Sequence, residues 1–145
     1  MKINSEINSR LLSSIRKANK NSLYWKKIFK KHKVLKKNRD EFNYFNIPFL
    51  TKNEILEDQK KNKNIGKIFS AKQKDVIRVH KTSGTSTKPL YIYLTNKDVL
   101  ETIRISKKNY IDSGLNNQDI IIHCLNFNMW SGGLTDYQSL ESTGA

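Results

Sequence analysis

Between His80 and Thr95 the chain reads HKTSGTSTKPLYIYLT, a crowd of hydroxyl residues around one glycine, closed by Lys88-Pro89. Hydroxyls, unencumbered backbone N–H groups and one ammonium are the donors that surround an anion such as a nucleotide phosphate. The alternative for such a run is a solvent-exposed Ser/Thr linker. Other reactive side chains offer less. His80 abuts the loop and fits a strand-end histidine satisfied by its neighbours, with orientation of a ligand as the alternative. His123 and Cys124 are adjacent in an extended pattern, so their side chains face opposite ways and cannot act as a nucleophile and base pair. His32 sits in a lysine run, and no His, Cys, Asp or Glu spacing matches a zinc site, so no metal ligand is assigned.

The elements that must position this loop follow from periodicity. Val76, Ile77 and Val79 predict a short strand before it, and Leu90 to Leu94 predict a second strand after it. Thr95 and Asp98 form a capping pair for a helix that would bury Val99, Leu100, Ile103, Ile105 and Tyr110 and end at Gly114. The continuous apolar run Ile120 to Leu125 predicts a strand covered on both faces. After FNMWSGG a last helix is expected from about Gly132 to Ser142. Strand, helix, strand, helix in that order is an α/β pattern with a crossover connection.

Upstream, Ile7, Leu11, Leu12, Ile15 and Ala18 recur at helical spacing, with Asn4 or Ser5 as cap. A second helix carries Leu23, Tyr24, Ile28 and Phe29 on one side and Lys26, Lys27, Lys30 and Lys31 on the other. Glu41 to Leu50 is aromatic and irregular, and Pro48 keeps the approach to the next helix extended. Thr51 with Glu54 is a capping box for a helix from Lys52 that first buries Ile55. A surface turn is expected around Asn62 to Gly66. The domain expectation is a basic helical segment over 1–74 and an α/β domain from 75 to 145.

Composition sets the bounds. The 145 residues carry a formal charge of +14, and 22 of the 27 Lys and Arg fall in residues 1–81 against 7 acidic residues there. Lysine rises together with asparagine, which occupies 16 positions, so the charge fits a compositional bias with solvated lysines better than a nucleic-acid groove. A basic amphipathic helix on an anionic membrane surface is the other reading of the same charge. No apolar run is long enough for a transmembrane helix. One cysteine excludes an internal disulfide framework, and with no signal-peptide stretch the expected location is cytoplasmic.

Tyr24-Trp25 with Phe29, Ile47-Pro48-Phe49-Leu50-Thr51-Lys52, Thr82 to Pro89, and Trp130-Ser131-Gly132-Gly133-Leu134 occur in an order that resembles the adenylate-forming enzymes. The likeness is strongest to the phenylacetate-coenzyme A ligase branch and its capsular-polysaccharide relatives, whose phosphate loop is usually written S-S-G-T-T-G-K-P. The resemblance implies an incomplete N-terminal portion of the large domain of an AMP-binding enzyme, preceded by a small helical segment. It implies an ATP-dependent acyl- or aryl-coenzyme A ligase: a carboxylate attacks the α-phosphorus of ATP, pyrophosphate leaves, and a thiol captures the acyl-adenylate. ATP, Mg2+ and coenzyme A are implied on the same ground alone.

Carried onto this chain, the phosphate loop is Ser83, Gly84, Thr85, Ser86, Thr87 and Lys88, with Thr85 the first choice for a hydroxyl on phosphate. Thr87 replaces the second glycine of the loop, a change that costs on the order of 1 to 2 kcal/mol where the backbone is left-handed. Phe127, Met129, Trp130, Gly132 and Gly133 would line the acyl pocket, or else seal a core beneath a strand-to-helix turn. The family's catalytic lysine, its ribose pocket and its acidic magnesium ligand match no position here. The expected partners are a small carboxylic acid, a nucleotide and a complementing C-terminal polypeptide. Residues 1–145 alone should be inactive, and a noncatalytic nucleotide- or partner-binding remnant is the alternative.

Overall fold

In the computed structural model the described residues are 5–37, 41–62, 65–83 and 88–145. The chain divides into two compact units, Met1–Gln73 and Lys74–Ala145. None of the described helices is long and apolar enough to cross a membrane.

The first unit is helical. Helix α1 (Ser5–Asn21) and helix α2 (Leu23–Lys31) pack around Ile15, Phe29 and Val34, with Leu11, Trp25, Ile28 and Ile47 partly buried against them. Trp25 stacks on Phe29 at 5.3 Å, and Tyr24 meets Trp25 edge-on at 5.1 Å. Leu23, expected on the apolar side of α2, is exposed. The break between the helices is Ser22, whose buried Oγ accepts the Trp25 N–H at 3.2 Å and donates to the Lys67 carbonyl at 2.7 Å. One hydroxyl thereby caps α2 and satisfies a carbonyl from a segment 45 residues away.

Helix α2 ends in a Schellman motif. The Val34 N–H reaches the Phe29 carbonyl at 3.0 Å and the Lys33 N–H reaches Lys30 at 3.3 Å. Val34 then buries itself completely beside Phe29, the hydrophobic contact that accompanies this cap. The motif needs a left-handed residue, and Lys33 supplies it at φ 51°. A lysine there costs about 1 kcal/mol relative to glycine.

Helix α3 (Lys52–Lys61) opens with the expected capping box. Glu54 Oε2 accepts from the Thr51 N–H and from its hydroxyl, both at 2.7 Å, while Thr51 Oγ1 accepts the Glu54 N–H at 3.3 Å. The turn after α3 is organised by Asp58, whose Oδ2 accepts the Lys67 and Ile68 N–H groups. Gly66, at φ 78°, leaves room for that carboxylate.

The second unit contains a two-stranded antiparallel sheet, β1 (Val76–Lys81) and β2 (Tyr91–Thr95), with a bulge between Val76 and Arg78. Helix α4 (Asn96–Asp112) starts at the Thr95/Asp98 capping box and ends in a second Schellman motif with Gly114 at φ 104°. It buries Val99 but turns Leu100 and Ile105 outward, against the expectation for both. Helix α5 (Ser131–Glu141) packs on α4, where Lys107 Nζ donates to the Ser142 carbonyl at 2.5 Å. Burial there pushes the Tyr110 phenol up, with Asp136 adding to the effect.

The strand expected over Ile120 to Leu125 does not form among the described residues, and with it goes the crossover. Ile120 and Ile122 are exposed while Ile121 and His123 are partly buried, so the run alternates without a ladder partner. An apolar run becomes a strand only when a neighbour's N–H and C=O groups pair with its own.

Two outcomes follow from these contacts. Ser22→Ala removes a cap and orphans the Lys67 carbonyl, so urea unfolding should show a loss of about 2 to 3 kcal/mol, and Ser22→Thr a smaller one. The Thr51 N–H and hydroxyl hold the Glu54 carboxyl below the usual carboxylate range. The cap should therefore be fully present above the unfolded-state carboxylate pKa and lost as pH falls through the lower native one. A carbonyl-detected NMR titration should place the Glu54 midpoint below that of the unfolded chain, and E54Q should abolish the pH dependence of α3 amide protection.

Candidate functional site

The hydroxyl loop is anchored by a closed hairpin base. In register, His80 faces Ile92 and Lys81 faces Tyr91. One step further, the Thr82 N–H donates to the Leu90 carbonyl and Thr82 Oγ1 accepts the Leu90 N–H, each at 2.9 Å. Thr82 thus spends its N–H and a lone pair on closure and fixes where the loop begins. Its role was readable only in the β-branched hydroxyl at the loop's first position.

Behind the hairpin runs the segment before α5. The Lys81 N–H donates to the Met129 carbonyl at 2.7 Å. Lys81, Thr82, Ser83, Asn128, Met129 and Trp130 line a cavity of about 610 Å³. The fold therefore brings Ser83, from the expected phosphate loop, to the same cavity as Met129 and Trp130, from the expected acyl pocket. Gly84, Thr85, Ser86 and Thr87 lie outside the described residues. Lys88 is exposed on the returning arm.

Phe127 belongs to a different cluster, stacked on His123 at 5.8 Å and edge-on to Tyr137 at 5.3 Å. The two glycines have reasons inside the chain itself. A Cβ on Gly133 would stand 2.1 Å from the Asn126 carbonyl oxygen, and one on Gly132 would stand 2.4 Å from the Trp130 indole. These contacts let α5 begin at van der Waals distance from the strap that precedes it. Its first residue follows Trp130, which provides no side-chain cap; the Trp130 N–H is held instead by Asn128 Oδ1 at 2.8 Å.

Helix α5 is pinned to β1 twice. Arg78 Nη2 donates to Gln138 Oε1 at 2.6 Å, and His80 Nε2 lies 3.3 Å from Thr135 Oγ1. His80 is buried, and its Nδ1 has no hydrogen-bond partner among the described residues. The expectation of a strand-end histidine satisfied by its neighbours holds for one ring nitrogen and not the other. His123 Nε2 is likewise buried and unpartnered among the described residues, while Cys124 is exposed.

Chemically, the cavity offers hydroxyls from Thr82 and Ser83, the Asn128 amide and one ammonium from Lys81, beside apolar Met129 and Trp130. That donor set fits an anionic group. Among the described residues its lining carries no carboxylate, and no group of three or more His, Cys, Asp or Glu could hold a metal ion. No step is assigned to magnesium for that reason.

No protein-family model matches the chain, and no curated protein matches it by sequence. Solved structures match its fold. A 2-hydroxyisobutyryl-CoA ligase in the postadenylation state with 2-HIB-AMP superposes with a TM-score of 0.82 over 96% of this chain at 16% identity, covering 29% of the ligase. The same enzyme with 2-HIB-AMP and CoA in the thioesterification state gives 0.81 over 99% of this chain at 15% identity, covering 31% of that chain. The chain therefore has an α/β fold matching the N-terminal portion of the large domain of an adenylate-forming enzyme, and spans under a third of the length of these structures.

Thr82→Ala should leave the Leu90 N–H unpaired at about 1 to 2 kcal/mol and speed its hydrogen exchange relative to the strand amides. Thr82→Ser should restore protection. Equal protection of Leu90 in T82A would show that the backbone ladder alone closes the loop.

Proposed function

We propose that residues 1–145 are the N-terminal part of an ATP-dependent acyl- or aryl-coenzyme A ligase that adenylates a carboxylic acid. The observation that carries this reading is the shared cavity of Ser83 with Met129 and Trp130, on a fold that matches an acyl-CoA ligase. Residues 75–145 are then the start of the AMP-binding domain, and residues 1–74 its basic helical preface. The spelling of Ile47 to Lys52 and of the phosphate loop supports the phenylacetate-coenzyme A ligase branch. Cytoplasmic location accords with a single, exposed cysteine.

The roles divide along the cavity. The Thr82–Leu90 closure fixes the two ends between which the loop runs. Ser83, Gly84, Thr85, Ser86, Thr87 and Lys88 would bind the triphosphate through backbone N–H groups, hydroxyls and one ammonium. Met129 and Trp130 would exclude water from the carboxylate, while Phe127, stacked on His123, and Gly132 and Gly133, closed against Trp130 and Asn126, shape the segment that carries them. Coenzyme A would receive the acyl group through parts of the large protein beyond these residues. The exposed apolar side chains of the second unit, including Ile92, Leu100, Ile120 and Ile122, support a larger domain that covers them.

Titration of the 145-residue chain with magnesium ATP should move the NMR amide signals of Ser83, Lys88, Met129 and Trp130. T85A should weaken that binding about 3- to 10-fold, the worth of one hydrogen bond. Carboxylate-dependent ATP–pyrophosphate exchange should be absent from this polypeptide alone. Unchanged affinity in T85A would reject the loop assignment, and robust exchange would reject the division of labour.

A further inference from the structure

The ligase reading leaves the charge of the first unit unused. Lys26 and Lys30 of α2, Lys33 at its left-handed end, and Lys36 and Lys37 beyond it line a concavity of about 460 Å³ with Asn19. Arg16 and Lys20 of α1 line an adjoining concavity of about 390 Å³ that shares Asn19, Lys26 and Leu35. Partly buried Leu35 and buried Phe29 supply the apolar part of the surface. No acidic residue is among the described residues of either lining; Glu41 stands beside them, ion-paired with Lys36.

Lys33, part of that lining, also stands in an unusual backbone position. The chain builds the same helix-ending motif twice, with Gly114 in the left-handed position after α4 and Lys33 in the equivalent position after α2. Glycine would be easier there; the chain carries a lysine instead, and its side chain lines the concavity. The negative end of the α2 dipole opposes an anion at this place. It is muted by the amides of His32, Lys33 and Val34, which cap its last carbonyls, and it is outnumbered by the ammonium groups.

We propose that this concavity binds a small polyanion carrying two or more phosphate groups. Its volume lies in the range of small-molecule sites. Its apolar residues are recessed, whereas a membrane-surface helix projects them. Among the described residues no exposed aromatic side chain lines it on which a nucleic-acid base could stack. The site is independent of the loop from Thr82 to Pro89, and the two are told apart by which amides respond.

The test is titration of the full 145-residue chain with inorganic tripolyphosphate and, separately, with ATP at physiological salt, followed by NMR at residues 16–37. Both should shift these amides with submillimolar affinity. Equal affinities would identify the phosphate chain as the recognised group, and ATP binding tighter by about tenfold would add the nucleoside to it. K33G should raise the unfolding midpoint yet weaken tripolyphosphate about fivefold, a pairing that a structural role for Lys33 would not produce. K26A/K30A should weaken it about tenfold or more, while K52A/K60A on α3 should leave it unchanged. The proposal is overturned if K33G binds normally or if K52A/K60A loses as much as K26A/K30A. Tighter binding of single-stranded RNA or phosphatidylserine vesicles than of tripolyphosphate at residues 16–37 would overturn it as well.

Discussion

The second unit depends on a contact with no room in it. The Asn126 carbonyl oxygen occupies the place where any side chain on Gly133 would begin. Because that position is glycine, the strap from Asn126 to Trp130 lies directly against the first turn of α5. From there it reaches the edge of β1 and bonds the Lys81 amide through Met129. The Arg78–Gln138 and His80–Thr135 contacts hold the rest of α5 to the same strand. A larger residue at 133 would push the strap off the first turn of α5, and with it the Asn128 to Trp130 wall of the cavity beside Ser83.

The first unit rests on a different economy. Its core is small, centred on Ile15, Phe29 and Val34, so the polar groups around it carry much of the specificity. Ser22 is the clearest case, since one buried hydroxyl ends one helix boundary and satisfies a distant carbonyl. The left-handed turn at Lys33 delivers Val34 into the core and at the same time directs the chain past the lysines of α2. Packing and charge are thus set by the same few residues, and the apolar seat of Val34 is what sustains the strain at its neighbour.

Local signals were well legible in the sequence where the physics is local. The capping boxes at Thr51/Glu54 and Thr95/Asp98 appear as spelled, because both partners lie within one turn and need nothing else. The hairpin around the hydroxyl loop followed from β-branched residues and the turn composition between them. The run from Ile120 to Leu125 misled for the opposite reason: its apolar character is real, but strand formation depends on a partner's hydrogen-bonding groups, which no property of the run itself can supply. Leu100 and Ile105 show the same limit, because helical spacing identifies an apolar side chain but not whether anything is packed against it.

By itself the sequence determined the helices and the two paired strands, which reside in short spans whose capping, turn and periodic preferences act within a few residues. Tertiary structure alone decided that Ser83 shares a cavity with Met129 and Trp130, that Gly133 is required by the Asn126 carbonyl, and that lysines scattered from 26 to 37 converge on one concavity. Those are relations across turns of the chain, created when elements pack, and packing is governed by which surfaces meet rather than by what either stretch prefers alone.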